Sequence, residues 1–229
     1  MNRRQFFNQC AVHGDSRPDL QHSALIKNFL LPLFKLKKNQ SVLDVGTGTG
    51  TLLPYLRAMT GKRASIVGLD FSPGMLERAR EQYARPFTFV CAPAHDMPFS
   101  TASFDAVVSL DVFPHFQDKL AALNECRRVL KDGGKLIIAH TGSRGRINAR
   151  LQKIGGPLAS DTIPSDDVMM NLLLKAGFSK VKIRAKKNIH YSEAFKPRAG
   201  ELPPGKPTAI RHVACAQCCH CGGCAGRLL

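Results

Sequence analysis

The stretch VLDVGTGTG, residues 42–50, decides how the chain folds. Val42, Leu43 and Val45 read as a short buried strand that runs straight into a turn built on Gly46, Gly48 and Gly50. Glycines there let the backbone take positive φ and approach a ligand closely. A helix is expected next, with the unpaired N–H groups of its first turn facing the same space. Dinucleotides use such a unit with the spacing G-x-G-x-x-G, which seats a pyrophosphate on the helix N-terminus. Here the spacing is G-x-G-x-G, and Asp44 stands two residues before the first glycine. A carboxylate at that point suits a cationic ligand better than a pyrophosphate. A P-loop is excluded, because Gly50 is followed by Thr51 and Leu52 rather than by Lys and Ser or Thr. A glycine turn with no ligand is the plain alternative.

Working outward, SIVGLDFS (65–72) is a second apolar strand ending in Asp70. An acid at that position accepts hydrogen bonds from the ribose hydroxyls of an adenosine ligand. Ser72 then caps a helix with Pro73 at its first position. Strands are expected at 41–45, 65–69, 87–91, 104–109 and 135–140, and helices near 50–60, 73–84 and 117–131. Asp132-Gly133-Gly134 marks a stop before the fifth strand. This alternation predicts an α/β protein with a doubly wound, mostly parallel sheet and its ligand at the carboxyl ends of the strands. HSALIKNFLLPLFKL (22–36) carries an apolar helical face, which Pro32 bends or ends. SRGRINARLQKIGG is expected as a basic helix covering the pocket. SDDVMMNLLLKAGF (165–178) reads as a helix capped by Ser165 and ended by Gly177. KVKIRAKK follows as a strand, and the last strand falls at 189–195 or 209–214. The organisation is an N-terminal helical cap (1–40), a main domain (41–196), and a segment 197–229 holding a Pro-rich linker, a possible last strand and a flexible cysteine-rich tail.

VLDVGTGTG, GLDFSPGMLERAR, APAHDMPF (92–99), FDAVVSLDVFPHF (104–116) and LNECRRVLKDGGKLIIAH (123–140) appear in the order they take in class I S-adenosylmethionine-dependent methyltransferases. The chain resembles that family, and within it the ubiquinone/menaquinone C-methyltransferase group. The resemblance covers most of residues 40–140. It implies a seven-stranded Rossmann-like sheet whose last two strands are antiparallel. It also implies S-adenosylmethionine bound by Asp44, Gly46, Thr47, Gly48, Gly50, Asp70, Phe71, Met75, Ala94, His95, Ser109 and Leu110. The family commonly has an acid before the Ala of its third-strand loop, where it contacts the adenine amino group. This chain has Pro93 there, and Asp96 is the nearest substitute in sequence.

Transfer of a methyl group needs a well-placed acceptor, and a base if the acceptor must lose a proton. His115 is the leading candidate base, with Asp111 to orient His115 or the acceptor and His140 at the end of the fifth strand. Arg144 and Asn148, four apart on a helix, can hold an anionic or carbonyl group. Each has a structural alternative: a histidine bonding the backbone, a loop-capping acid, a solvated basic face. Cys91 and Cys126 fit core packing, and Cys10 sits in the cap near the substrate entrance.

The tail CAQCCHCGGC (215–224) holds five of the eight cysteines. Cys215, Cys218, Cys219, Cys221 and Cys224 form a soft donor set suited to zinc or copper, without the two separated knuckles of a structural zinc fold. The expected function is methyl transfer to a small-molecule acceptor. The alternatives are metalloid methylation using the thiol tail and a non-catalytic module that binds S-adenosylmethionine or a metal. The net charge of +16 raises nucleic acid as a partner. Low aromatic content and no Trp provide few stacking platforms for bases, so a solvated basic surface is the better reading. MNRRQFFNQC resembles a twin-arginine leader but lacks its apolar region, no apolar run is long enough for a membrane span, and the expected location is the cytoplasm.

Overall fold

A computed structural model describes residues 1–13, 20–83, 85–186 and 188–201. Seven strands form one sheet: β1 (Val42–Val45), β2 (Ile66–Asp70), β3 (Thr88–Cys91), β4 (Phe104–Leu110), β5 (Leu130–His140), β6 (Ser179–Lys186) and β7 (Ile189–Phe195). Their order is β3-β2-β1-β4-β5-β7-β6. The β1–β4 group pairs in parallel with itself and with β5, and β7 runs antiparallel to β5 and to β6. Only β7 is therefore reversed, since β6 regains the direction of the parallel strands. The last strand takes the first of its two expected positions; the other, 209–214, lies outside the described residues.

Between the strands lie α4 (Leu53–Thr60), α5 (Pro73–Gln82), α6 (Lys119–Val129), α7 (Arg144–Ile154) and α8 (Asp166–Lys175). Before them come α1 (Arg3–His13), α2 (Leu20–Leu25), a π-helical turn (Ile26–Leu30) and α3 (Leu31–Phe34). Ser72, Ser143 and Ser165 each cap the helix that follows by accepting from a backbone N–H, which relieves one orphan donor per helix.

Strand alternation sends successive side chains to opposite faces. Leu43, Val107, Leu136 and Ile138 join one buried cluster, with α6 and α8. Val42, Ala106, Val108 and Ile137 join the other, with α4 and the 26–34 helices. Ile26, Leu30 and Phe34 are fully buried there, so this stretch is core. Pro32 does not end the helix. The chain widens first, with Leu31 N–H bonding Ile26 O five residues back, and helix continues to Phe34. A π-turn makes room for the ring that would otherwise meet the carbonyl four residues earlier. Asp132-Gly133-Gly134 likewise does not separate helix from strand. It is an irregularity within β5, closed by bonds from Gly133 N–H to Lys196 O and from Lys196 N–H to Gly134 O.

The strand order reverses between β1 and β4, and in open α/β sheets the ligand crevice opens at such a switch point. The loops after β1, β2, β4 and β5 meet there.

Candidate active site

Gly46 sits at φ +74°, and a Cβ on it would lie 2.3 Å from a methyl of Val112, the residue that follows β4 by two positions. Glycine is thus required for the β1 and β4 loops to touch. Gly50, at φ +84°, is required for packing: a Cβ would meet the Tyr83 ring at 2.9 Å. Gly50 lines none of the three cavities at this end of the sheet, so the structure gives it a packing role where the sequence suggested ligand contact.

The turn's amides are largely spent. Gly46 and Thr47 N–H both bond Leu69 O, Gly50 N–H bonds Thr47 O, and Gly48 N–H bonds Asp70 Oδ2 at 2.9 Å. Such a turn offers little to a pyrophosphate. Its carboxylates offer more. Asp44 is buried, and Thr47 Oγ1 donates to its Oδ2 at 2.7 Å. Burial pushes its pKa up to about 7, against the pull of Thr47. Asp70 is also pushed up, by burial first, although the Ser72 and Gly48 amides pull the other way. These two amides leave acceptor capacity on both Asp70 oxygens. Two buried acids with unspent oxygens fit a ligand that brings a positive charge and hydroxyl donors.

Three cavities meet here. The first, about 180 Å³, is lined by Asp70, Phe71, Met75, Ala94, His95 and Asp118 among others. The second, about 250 Å³, is lined by Asp44, Gly46, Thr47, Gly48 and Leu110. The third, about 510 Å³, lies on the far side, against α7. Asp111 lines all three, and His115 lines the first and third. Ser109 lines none; it is buried inside β4 with its hydroxyl unpartnered among the described residues. Asp96 also stays outside the first cavity and is exposed, near Arg128. The carboxylate that the first cavity holds beyond Asp70 and Asp111 is Asp118, whose Oδ1 also caps α6 by accepting from Ala121 N–H.

His115 is oriented by a residue that no motif announced. Its Nδ1 lies 2.6 Å from Asp161 Oδ2, and Arg3 pairs with the same oxygen. Phe7 packs edge-on against the imidazole, with centroids 5.2 Å apart. Burial works against the charge on Asp161, but His115 and Arg3 hold its pKa below the usual carboxylate range. Nδ1 being taken, Nε2 is the ring nitrogen left for a ligand. Asp111 was expected to orient His115 or the acceptor. It is not bonded to His115: Thr141 N–H and Oγ1 donate to it at 2.8 and 2.7 Å, and it faces His22 Nε2 at 3.0 Å, while still bordering the third cavity. Burial opposes its charge, and these partners keep its pKa low. It also holds φ +58° without being glycine, a strain of about 1–3 kcal/mol that such sites retain when neighbours enforce it.

His140 lines the third cavity but is a poor base. It is buried, and burial pushes its pKa down to about 4. The His190 backbone lies near the ring, but neither ring nitrogen reaches full hydrogen-bond geometry with any described residue. Arg144 and Asn148, expected to hold an anionic or carbonyl group, line none of the three cavities. Arg144 turns toward Asp166 at 3.7 Å, and Asn148 is tied to both the N–H and the O of Ile163. Arg146 and Arg150, on the other face of α7, line the third cavity. Cys126 is buried in the core, with burial raising its thiol to about 12; Cys91 is exposed because β3 is the sheet edge. Among the described residues no group of three or more His, Cys, Asp or Glu side chains could hold a metal, and no helix is long and apolar enough to cross a membrane. The metal ligands expected at Cys215, Cys218, Cys219, Cys221 and Cys224 lie outside the described residues.

A glycine turn at the switch point, an acid at the end of β1 and another at the end of β2 line one crevice of a doubly wound α/β protein. Residues 43–138 match the family model described as "Methyltransferase domain". The ubiquinone/menaquinone biosynthesis C-methyltransferase UbiE of Geobacter sp. (strain M21) is 31% identical over 167 residues, 62% of this chain and 71% of that protein. The O-methyltransferase cnsE of Penicillium expansum is 33% identical over 64% of this chain and 54% of that protein. Of several further C-methyltransferases of the first kind the chain spans about half the length. A SAM-dependent methyltransferase from Aquifex aeolicus shares the fold, with a TM-score of 0.66 at 23% identity over 82% of this chain and 97% of that one. The chain belongs to the class I S-adenosylmethionine-dependent methyltransferases and resembles their ubiquinone/menaquinone C-methyltransferase group.

Proposed function

We propose that the protein methylates a small molecule that must give up a proton, with Asp44 and Asp70 holding the donor and His115 acting as the base. The observation that carries this is the Asp161–His115 pair at the boundary between the first and third cavities. When bound, S-adenosylmethionine supplies a methyl carbon on a positively charged sulfur, which the acceptor's electron pair takes as the carbon–sulfur bond breaks and a neutral thioether leaves. Asp44 faces positive charge on that ligand, and Asp70 accepts from its ribose hydroxyls. Gly46, Thr47, Gly48, Phe71, Met75, Ala94, His95 and Leu110 shape the walls. His115, held at Nδ1 by Asp161, takes the acceptor's proton on Nε2. A hydroxyl on an aromatic ring satisfies this need whether the methyl goes to oxygen or to a ring carbon, and the relatives named above include both O- and C-methyltransferases.

The test is transfer of a labelled methyl group from S-adenosylmethionine to a panel of phenols and hydroquinones. Turnover that survives His115→Ala unchanged would overturn the assignment of the base. A cytoplasmic location belongs to this reading; Cys10, Cys91 and Cys126, which form no disulfide among the described residues, agree with it. A thiophilic metal on the tail cysteines is a separate reading that rests on their spacing. Metal analysis of the purified protein, with and without residues 202–229, tests it.

A further inference from the structure

We propose that the third cavity takes an anionic acceptor: a ring-sized apolar molecule with a hydroxyl at one end and a carboxylate at the other. The proposal rests on the reading that this cavity receives the methyl acceptor, and it adds the acceptor's chemical class.

At about 510 Å³ the cavity is of the size that encloses a small organic ligand. Its body is apolar, with Phe6, Ile147, Leu151 and Leu158 among the walls. One end is the methylation end, where Asp111 and His115 also border the first cavity. The α7 wall carries Arg146 and Arg150, one helical turn apart. Neither guanidinium has a hydrogen-bond or ion-pair partner among the described residues, whereas Arg144 on the other face is paired with Asp166. Two neighbouring cations without a counter-charge attract an oxyanion, and a guanidinium fork matches a carboxylate in shape as well as charge. The acid that borders the cavity does not cancel them, because Asp111 is already engaged by His22 and Thr141.

A second observation points to a ligand independently. His140 is 1% exposed and lines the cavity; the His190 backbone is a polar neighbour, but neither ring nitrogen reaches full hydrogen-bond geometry with any described residue. A buried polar group left so is costly unless something bonds it. A polar atom on the bound molecule would do so. A neutral, wholly apolar acceptor would leave His140 without a hydrogen bond, and Arg146 and Arg150, whose side chains are exposed to solvent at the cavity wall, without a counter-charge.

Calorimetry on the full chain with 3,4-dihydroxycinnamate and its methyl ester tests the proposal, run with and without S-adenosylhomocysteine. The acid is expected to bind at least about tenfold tighter than the ester at low salt, as loss of a charged hydrogen bond implies. Arg146→Gln/Arg150→Gln should erase that preference and leave S-adenosylhomocysteine affinity unchanged. Arg146→Lys/Arg150→Lys should keep most of it, and Arg144→Gln should keep all of it. Equal binding of acid and ester, a preference that survives the double glutamine variant, or no binding of either compound would each overturn the proposal. Failure of S-adenosylhomocysteine to bind would instead sink the donor reading, and the acid–ester comparison made without it would still judge the anion site.

Discussion

On the proposed donor side, the glycine turn, Asp44, Asp70, Phe71 and Met75 come from residues 42–75, in two consecutive strand–turn–helix units. On the proposed acceptor side, Arg3, Phe6, His22, His115, Asp161 and the face of α7 are drawn from distant parts of the chain and meet only in the folded protein. The charges differ as well. Asp44 and Asp70 are buried with no cation bonded to either among the described residues, whereas Arg146 and Arg150 have no anion bonded among them. A donor common to a whole family can be held by short contiguous motifs. An acceptor site follows whatever molecule is methylated, and tertiary packing builds it.

The sharpest way to break this comparison is at its boundary. His115→Ala should lower kcat by roughly a hundredfold to ten-thousandfold, the range for loss of a general base. The affinity for S-adenosylhomocysteine, measured by calorimetry, should hardly move. Asp161→Asn should cost less, about tenfold to a hundredfold, as losses of imidazole-orienting partners do, and it should alter the pH profile of kcat. Equal loss of donor binding in either variant would mean that His115 belongs to the donor side.

Asp44→Asn probes the buried acid. Its raised pKa means that the folded chain holds the proton more tightly than the unfolded one. Asp44 therefore supports folding at low pH, and that support is lost as pH rises from the ordinary carboxylate range to about 7. Above pH 7 the ionised group opposes folding by a few kcal/mol, since each tenfold difference in proton affinity between the folded and unfolded chain is worth about 1.4 kcal/mol. In the absence of donor, Asp44→Asn should raise the melting temperature at pH 8. It should also weaken S-adenosylmethionine binding by about tenfold to a hundredfold, as removal of a charged hydrogen bond does. In the unchanged protein donor affinity should fall below pH 7, because the cation requires the ionised form. A flat affinity between pH 5.5 and 8 would remove Asp44 from the donor site.

Gly50→Ala separates ligand from packing within the signature turn. It should destabilise the fold by about 1–3 kcal/mol, from positive φ and displacement of Tyr83, with donor affinity nearly unchanged at temperatures where the variant is folded. This exposes the limit of what the motif could say. Strand alternation, the serine caps and the acids after β1 and β2 are local patterns, and they are legible because hydrophobic periodicity and capping act over a few residues. A motif cannot tell a glycine that touches a ligand from one that makes way for a tyrosine more than thirty positions on. Asp161 had no local signal: it sits in an irregular stretch between α7 and α8, and only the placement of α1 over the cavity brings Arg3 to it. The choice between Arg144 and Arg146 was equally hidden, because both lie in a run of basic residues whose inward helical face is set by Leu151 and by Asn148's bonds to Ile163.

The smallest expected effect concerns the acid that this chain lacks at Pro93. Sequence distance favours Asp96 as its replacement, whereas the geometry favours Asp118. Asp96 is exposed, outside the first cavity and near Arg128, so Asp96→Asn should leave donor affinity within error. Asp118 borders the cavity at the start of α6, with Oδ1 on Ala121 N–H and its other oxygen without a bond among the described residues. Asp118→Asn can keep the cap, because Asn caps helices about as well as Asp. The loss should then fall on the ligand: a drop of roughly twofold to tenfold in S-adenosylmethionine affinity, the worth of one hydrogen bond. The specific readout is the base. Replacing adenosine by inosine in the nucleoside probe removes the amino donor, and it should weaken binding to the unchanged protein but not to Asp118→Asn. If the two nucleosides bind the unchanged protein alike, no side chain reads the amino group, and the cavity holds adenine by Phe71, Met75 and the apolar walls alone.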